Sequence, residues 1–355
     1  MKKKKDKKKF RRENLKYSNL ILNDLDEFQD EEVIEEKKAE KKLIDKAKHS
    51  MKSDLNLQKG RVLEVKANYN CLVQISDKVY EATLSGRLKQ IGVTTRNIIA
   101  AGDFVNVDLA GEPRIEEILT RENSLSRFSE KSFQTEIIIA ANIDQVLITA
   151  SYREPEISFG LIDRYICAAE ISGIRPIICV NKIDLADNID IVRSECAFYE
   201  EAEYTILYTS ALTGYGMEEL KTVLTNRETV FSGHSGSGKT SLVNKLMPGL
   251  DLAEGMVSEY TGKGIHTTTR TRLISWDFGG FLVDTPGIKT FGLKRDDQPL
   301  IARIFPGFRD LFISCKFKNC THLHEKDCAI KKALDSGKYP VERYESYKRI
   351  MASLD

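Results

Sequence analysis

The first folded part of the chain is marked by short stretches in which apolar and polar residues alternate. These stretches are residues 61–65, 71–75, 80–84 and 103–107, and glycines separate them. Alternation with a period of two is typical of strands with one buried face, and glycine is typical of the turns between strands. About five short strands in succession predict a small β-barrel of the OB type, which we assign to residues 56–127.

Basic side chains accompany this predicted barrel. They are Arg87, Lys89, Arg96, Arg114, Arg121 and Arg127. Because OB barrels often bind nucleic acids through positively charged surfaces, these residues are candidates for contacts with phosphate groups. A barrel that only packs against its neighbour is the alternative, since a fold by itself does not establish a function.

Continuous apolar runs replace the alternating pattern from about Ile137 onward. Residues 146–150 have the character of an apolar strand, and residues 177–180 that of a strand buried on both faces. Apolar residues at helical spacing lie between them. Further apolar runs occupy residues 205–208, 229–231 and 281–283. This alternation of strands and helices predicts an α/β domain with a mostly parallel sheet over residues 128–298.

A glycine-rich loop lies between one of these strands and a predicted helix. Its sequence fits the pattern G-x-x-x-x-G-K-[ST], in which backbone N–H groups surround phosphate oxygens. The candidate nucleotide-binding residues are Gly233, His234, Ser235, Gly236, Ser237, Gly238, Lys239, Thr240 and Ser241. We expect Lys239 to bridge the β- and γ-phosphates and Thr240 to bind Mg²⁺. A chance match in a surface loop is the alternative, which the flanking strand and helix disfavour.

Two motifs that follow neighbouring strands are candidates for recognition of a nucleotide base. The first comprises Asn181, Lys182, Ile183 and Asp184, and the second comprises Thr209, Ser210 and Ala211. A carboxylate at Asp184 can accept hydrogen bonds from the ring N–H and the exocyclic amine of guanine, a pair that adenine does not offer. Ser210 and Ala211 are expected to contact the base through backbone N–H groups. A polar turn is the alternative, but α/β sheets bind ligands at such strand ends.

The remaining parts of a nucleotide switch come later in the chain. We expect Asp284 to hold Mg²⁺ and the Gly287 N–H to contact the γ-phosphate. In the Gly- and Thr-rich segment 261–270, Thr267 or Thr268 is expected to close onto the metal and the γ-phosphate. A plain flexible loop is the alternative for that segment.

The order of these motifs is rotated relative to Ras-like GTPases, in which the phosphate loop comes first. Here the base motifs at residues 181–184 and 209–211 precede both the phosphate loop and the two switches. The central domain therefore has the motif order of a circularly permuted GTPase, a rearrangement that adjacent chain termini make physically tolerable.

Cysteine and histidine residues cluster in the last part of the chain. Cys315, Cys320, His322 and Cys328 supply three thiolates and one imidazole within 14 residues, as in a closed structural Zn²⁺ site. His324 is a second candidate for the histidine ligand. Reduced cysteines beside exposed histidines are the alternative. We assign residues 299–355 to a zinc-binding, mainly helical domain.

Charge is distributed unevenly, although the net charge is only +1. Residues 2–12 carry nine Lys or Arg, and residues 24–36 carry eight Asp or Glu. We expect residues 1–55 to form a disordered extension, which is either an arm that seeks RNA or a solubilising tail. No apolar run approaches the ~20 residues of a membrane span, and no secretory pattern follows the basic start. Together with the cysteine usage, this favours a cytoplasmic protein without a membrane segment. We also expect a monomer.

Residues 60–335 resemble the RsgA (YjeQ) family of circularly permuted GTPases that depend on the small ribosomal subunit. The segments that carry the resemblance are residues 121–127, 181–184, 233–241, 264–269, 284–287, 291–293 and the cysteine–histidine cluster. The resemblance implies hydrolysis of GTP to GDP stimulated by the small subunit, contact with its rRNA, and a role in its late maturation near the decoding region. The loop reads Gly-Ser-Gly-Lys-Thr where the family more often has Gly-Val-Gly-Lys-Ser, and the extension of residues 1–55 is unusually long.

The position after Gly287 affects the expected rate of hydrolysis. Ras-type enzymes have a glutamine there that orients the attacking water, whereas this chain has Ile288. We therefore expect slow intrinsic hydrolysis that the ribosomal subunit accelerates. His266 is a candidate to position the water, and a histidine that faces solvent or RNA is the alternative. Since only 28 residues separate Gly287 from Cys315, the second switch is also expected to act on the zinc-binding domain.

A different class of function is an RNA-binding module whose nucleotide site is regulatory or vestigial. The presence of Lys239, Thr240 and Asp284 disfavours this alternative, because these are the residues that phosphate and Mg²⁺ require.

Overall fold

The computed structural model describes residues 56–94, 98–129, 132–250, 271–284 and 292–354. The predicted extension of residues 1–55 lies outside this described part. The strands are β1 (Leu57–Val65), β2 (Asn70–Ile75), β3 (Lys78–Leu84), β4 (Phe104–Asp108), β5 (Arg114–Ile118), β6 (Ser124–Ser129), β7 (Ser132–Ala141), β8 (Gln145–Ser151), β9 (Arg175–Asn181), β10 (Thr205–Tyr208), β11 (Arg227–Ser232), β12 (Arg272–Ser275) and β13 (Gly280–Asp284).

The α-helices in the described residues follow the same chain order. They are α1 (Gly86–Thr94), α2 (Phe159–Ile171), α3 (Ile189–Glu201), α4 (Met217–Leu224), α5 (Lys239–Leu246), α6 (Gln298–Ile304), α7 (Arg309–Phe312), α8 (Ala329–Asp335) and α9 (Val341–Ala352). None of these helices is both long and apolar enough to cross a membrane.

Strands β1 to β5 form the predicted barrel. Their order is β1-β2-β3-β5-β4, and β1 also pairs with β4, which closes the barrel. Every second residue of β2 is buried, so Cys71, Val73 and Ile75 point into the same core as Val62 of β1. The sequence shows the same alternation, and the β-barrel that it predicts is confirmed. The helix α1 lies between β3 and β4 in the chain.

A two-stranded antiparallel hairpin, β6 and β7, links the barrel to the central domain. Residue 127, the predicted boundary between the two domains, lies within β6. Leu125 and Ala140 of the hairpin are buried in the core of the central domain.

The central sheet has the strand order β10-β9-β8-β11-β13-β12. All neighbours from β10 to β13 are parallel, and β12 runs antiparallel to β13. All seven residues of β8 are buried because helices cover both faces of the sheet at this strand. The mostly parallel sheet and the crossover helices predicted from the apolar runs are confirmed.

The C-terminal helices pack directly onto the central domain. Tyr347 and Ile350 of α9 lie in the same hydrophobic core as Ile162 and Ile166 of α2. The Arg343 guanidinium, on α9, lies 3.1 Å from a carboxylate oxygen of Asp163, which is fully buried on α2. The zinc-binding domain is mainly helical, as predicted, and it shares one continuous core with the central domain.

Candidate functional site

The sequence motifs meet at one edge of the central sheet. The base motif 181–184 follows β9, the motif 209–211 follows β10, the phosphate loop follows β11, and Asp284 ends β13. Because these strands are parallel neighbours in the sheet, their carboxyl ends lie side by side, which is where α/β sheets bind ligands. The four motifs therefore form one site.

Two glycines of the phosphate loop occupy positions that no other residue fits. Gly233 has φ +142°, and a Cβ there would lie 2.0 Å from the Thr149 carbonyl oxygen. Gly238 has φ +86°, and a Cβ there would lie 2.2 Å from Nδ2 of Asn181. The loop is thus held close to β8 and β9, and α5 begins directly at Lys239 with its N-terminus at the loop.

The side chain of Lys239 folds back into the loop, and only 3% of the residue's surface is exposed. Its Nζ donates to the carbonyl oxygens of Gly233 at 2.9 Å and His234 at 2.7 Å, and to Oγ of Ser237 at 3.3 Å. The loop therefore holds a buried ammonium group in place. Phosphate oxygens can take over these hydrogen bonds, since each is a stronger, charged acceptor.

Asn181 ties three strand ends together. Its Nδ2 donates to the Ser237 carbonyl oxygen at 3.0 Å, so the side chain fixes the phosphate loop to the end of β9. Its Oδ1 accepts from Oγ1 of Thr209 at 3.2 Å and from the Ala211 N–H at 3.3 Å. Asn181 is buried, and these hydrogen bonds use both ends of its amide. One side chain thus sets the base motifs relative to the phosphate loop.

Asp184 is exposed at the same edge, where a base can reach it. The Ser210 hydroxyl donates to its carboxylate, and the Thr213 N–H donates to the same hydroxyl at 3.1 Å. Ser210 therefore orients Asp184 through its side chain, a role that differs from the predicted contact of its backbone N–H with the base. Lys182 adopts a left-handed conformation, φ +61°, and donates to the Glu154 carbonyl oxygen. A serine at the second position after β10 is the only sequence signal for the Ser210–Asp184 contact.

Asp284 is the last residue of β13 and has 5% of its surface exposed. Burial raises the pKa of its carboxyl to about 6, while the positive charge of Arg272 acts in the opposite direction. A buried carboxylate beside a phosphate loop and a threonine at the second position of α5 are the hard oxygen ligands that Mg²⁺ prefers. The candidates His266, Thr267, Thr268 and Gly287 lie outside the described residues, as does Ile288.

The cysteine–histidine cluster forms a second site, under the C-terminal helices. The potential ligand atoms of Cys315, Cys320, His322 and Cys328 all lie within 4.8 Å of one another. His322 Nδ1 is 3.2 Å from Sγ of Cys328 and 3.7 Å from Sγ of Cys315. Ligands at about 2.3 Å for sulfur and 2.0 Å for nitrogen around a tetrahedral ion lie on the order of 3.5 Å apart, so the spacing fits a metal such as Zn²⁺.

The surroundings prepare His322 as a metal ligand. Its Nε2 lies 2.8 Å from the Ala302 carbonyl oxygen, so the N–H sits on Nε2 and leaves the Nδ1 lone pair free for a metal. Burial lowers the pKa of His322, which favours the neutral imidazole. The alternative residue, His324, is exposed and does not belong to the cluster. No sequence signal points to the Ala302 carbonyl, because it is a backbone group far away in the chain.

Burial and the neighbouring thiols raise the pKa of Cys320 to about 12. Without a cation the cluster would hold neutral thiols, and a bound metal supplies the charge that stabilises thiolates.

Comparison with known proteins gives one consistent family. The family model of the RsgA GTPases matches residues 118–294. A protein of Flavobacterium psychrophilum named small ribosomal subunit biogenesis GTPase RsgA is 35% identical over 305 residues, which are 83% of this chain and 93% of that relative. A Vibrio vulnificus protein named small ribosomal subunit biogenesis GTPase RsgA 1 is 43% identical over 218 residues, or 61% of this chain. The chain spans only 62% of the length of the Vibrio relative.

Two solved structures match most of this chain. The crystal structure of YjeQ from Thermotoga maritima matches with a TM-score of 0.68 and 30% identity, covering 84% of this chain and 98% of that one. The crystal structure of YloQ, described as a circularly permuted GTPase, matches with a TM-score of 0.64 and 26% identity over 86% of this chain and 98% of that one. The rotated motif order is therefore accommodated by a known fold.

Proposed function

This chain belongs to the RsgA GTPase family, and on that premise we propose that it hydrolyses GTP to GDP and phosphate and acts in maturation of the small ribosomal subunit. The observation that carries this proposal is the single edge of the sheet at which Lys239, Asn181, Asp184 and Asp284 meet. A buried ammonium in a glycine loop serves a phosphate chain, and an oriented carboxylate two strands away serves a guanine base.

The proposed roles follow from these positions. Asp184, held by Ser210, accepts from the guanine N–H and amine, and Asn181 keeps the phosphate loop in register with the base. Lys239 exchanges its carbonyl partners for β- and γ-phosphate oxygens as charge develops on them. Thr240 and Asp284 are the residues that would hold Mg²⁺, whose charge neutralises the phosphate oxygens. Thr267, Thr268, Gly287 and His266 remain proposed switch and water-positioning residues.

Replacement of Asp184 by asparagine is predicted to change base specificity. An amide offers one acceptor where guanine presents two donors, so affinity for GTP should fall by roughly 100-fold, while affinity for XTP, which carries a carbonyl in place of the amine, should rise. Competition binding with a fluorescent GTP analogue measures both. Asp187→Asn is the matched control, because Asp187 is an exposed acidic residue just beyond the motif. Equal GTP affinity in Asp184→Asn and the control would contradict the assignment.

The activity itself is tested by GTP turnover with and without purified small ribosomal subunits, with ATP as the control nucleotide. We expect slow turnover of GTP alone and at least about tenfold acceleration by the subunits, since a switch without the water-orienting glutamine depends on a partner. We expect no turnover of ATP, because adenine does not offer the pair of donors that Asp184 accepts. Turnover that subunits leave unchanged would contradict the proposed partner. Binding to subunits without any GTP turnover would instead favour an RNA-binding module with a vestigial nucleotide site.

The second site completes the proposal. We assign Zn²⁺ as a structural ion to the Cys315, Cys320, His322 and Cys328 cluster, because four protein ligands leave no open position for catalysis. The proposed partners are the small subunit, its rRNA and guanine nucleotides, and the proposed location is the cytoplasm, where ribosomes mature. Because Cys315 lies only 28 residues after Gly287 in the sequence, the proposal includes that nucleotide state alters how tightly the barrel and the zinc-binding domain bind rRNA.

A further inference from the structure

Strand β1 contains a β-bulge that turns one acidic residue out of the barrel. Val62 pairs with Val73, which lies in the barrel core, whereas Glu64 pairs with the next residue of β2, Leu72. One extra residue in a strand moves the following side chain to the opposite face, so Glu64 lies on the outer side of the barrel. Glu64 is nevertheless buried, because β12 of the central sheet lies against it.

Three charged residues then lie in a row across three strands. Glu64 pairs with Arg272 of β12, and Arg272 pairs with Asp284 of β13. Directly opposed residues of antiparallel strands place their side chains on the same face, so the guanidinium stands between two carboxylates. Arg272 Nε lies 3.1 Å from Oε2 of Glu64, with side-chain exposures of 51% and 9%. The charge of Arg272 also lowers the pKa of Asp284, against the larger effect of burial.

A second contact holds the same strand to the central domain. The Arg61 guanidinium of β1 pairs with the Glu228 carboxylate of β11 and lies over the rings of Phe104 and Phe281. Arg61 thus provides a constant attachment between the barrel and the strand that precedes the phosphate loop. Arg272 differs from it, because one of its two acidic neighbours is a residue of the nucleotide site.

We propose that Arg272 is a positioning residue that couples the barrel to the nucleotide site, because its guanidinium interacts with both Glu64 and Asp284. This inference rests on the proposed function, since it takes Asp284 as a Mg²⁺-binding residue. When Mg²⁺ and nucleotide engage Asp284, two cationic groups compete for one carboxylate, and Arg272 turns fully to Glu64. Binding of nucleotide thereby strengthens the Glu64–Arg272 contact between β1 and β12. Glu64 in return favours Mg²⁺ binding, because it draws Arg272 away from Asp284.

The test is the Mg²⁺ concentration required for half-maximal binding of a fluorescent, non-hydrolysable GTP analogue, measured at pH 8 on the full chain. Glu64→Gln leaves Arg272 to Asp284 alone, so it should raise the required Mg²⁺ by about three- to tenfold, the range expected for a partly exposed charge pair. Arg272→Gln removes the competitor and should lower the required Mg²⁺ by a similar factor. Glu81→Gln is the matched control, because Glu81 forms an exposed ion pair with Lys66 within the barrel.

A double-mutant cycle separates coupling from a merely structural role. In the Arg272→Gln background, Glu64→Gln should change the Mg²⁺ requirement by less than about twofold, because its effect acts through Arg272. Wild-type, Glu64→Gln and Arg272→Gln proteins with the same Mg²⁺ requirement would overturn the inference alone, as would a Glu64→Gln effect of equal size in both backgrounds. Wild-type protein that binds the analogue equally well without Mg²⁺ would also overturn the inference alone, whereas wild-type protein that does not bind the analogue at any Mg²⁺ concentration would overturn the proposed function and the inference with it.

Discussion

Replacement of Lys239 by alanine is expected to lower GTP turnover by about 10²- to 10³-fold, the loss typical when one preorganised donor to a developing anion is removed. The ammonium of Lys239 is buried in the loop and held by the carbonyls of Gly233 and His234. It therefore needs little rearrangement before it contacts phosphate, and a methyl group offers no replacement for its charge. Single-turnover hydrolysis of radiolabelled GTP, with and without ribosomal subunits, measures the change.

The control for this variant is Lys245→Ala, which removes an exposed lysine from the same helix, α5. This variant should hydrolyse GTP like the wild type. Lys239→Ala also leaves the two loop carbonyls without their donor, so its thermal unfolding is measured beside its turnover. A Lys239→Ala protein that remains folded and hydrolyses GTP within about fivefold of wild type would refute the role of this residue, because charge-assisted hydrogen bonds are worth more than that.

Loss of the metal from the cysteine–histidine cluster is expected to destabilise much more than the zinc-binding domain. Cys328→Ser removes a fully buried ligand at the start of α8. Structural Zn²⁺ contributes about 10–16 kcal/mol to the folding of zinc-finger peptides, so loss of the ion should be strongly destabilising here as well. His322 packs edge-on against Phe308, which belongs to the core shared with α2, so we expect Tm to fall by about 10–20 °C in one cooperative transition.

Cys196→Ala provides the matched comparison, since it removes a buried thiol that belongs to no metal cluster among the described residues. It should keep one zinc per chain by elemental analysis, whereas Cys328→Ser should lose it. A chelator that strips zinc from the wild type should reproduce the lowered Tm. Full zinc content in Cys328→Ser, or zinc loss with an unchanged Tm, would contradict a structural ion at this place.

The sequence predicts the features that depend on local pattern. Period-two alternation marks β2, and the continuous apolar run marks β8, because each reflects which faces of a strand are buried. The phosphate loop is recognisable because only glycine fits at positions such as Gly233, where the backbone approaches Thr149. The four members of the metal cluster are recognisable because a tetrahedral ion needs soft ligands close together in the chain or in space.

Other features depend on contacts between distant residues and have no local signature. The bulge that turns Glu64 outward involves a single extra residue in β1, which leaves the apolar pattern of the strand almost unchanged. The carbonyl of Ala302 orients His322, and backbone groups look alike in every sequence. The packing of α9 on α2 likewise has no local signature, because it joins residues that are far apart in the chain. The Ser210 hydroxyl stood within a recognised motif, yet its role became visible only from its contact with Asp184.

The shared core of α2 and α9 has a consequence for how this protein is made. Ile162 and Tyr347 both belong to that core but lie far apart in the chain, so the packing of α9 on α2 forms only after α9 has been synthesised. A nascent chain that carries β8 to β10 exposes the apolar side of α2 until α9 has emerged from the translating ribosome. Translation that stops before α9 would therefore leave this apolar surface exposed, and such intermediates are prone to aggregation. Stable folding of the central domain thus depends on α9, although this helix lies outside the α/β sheet itself.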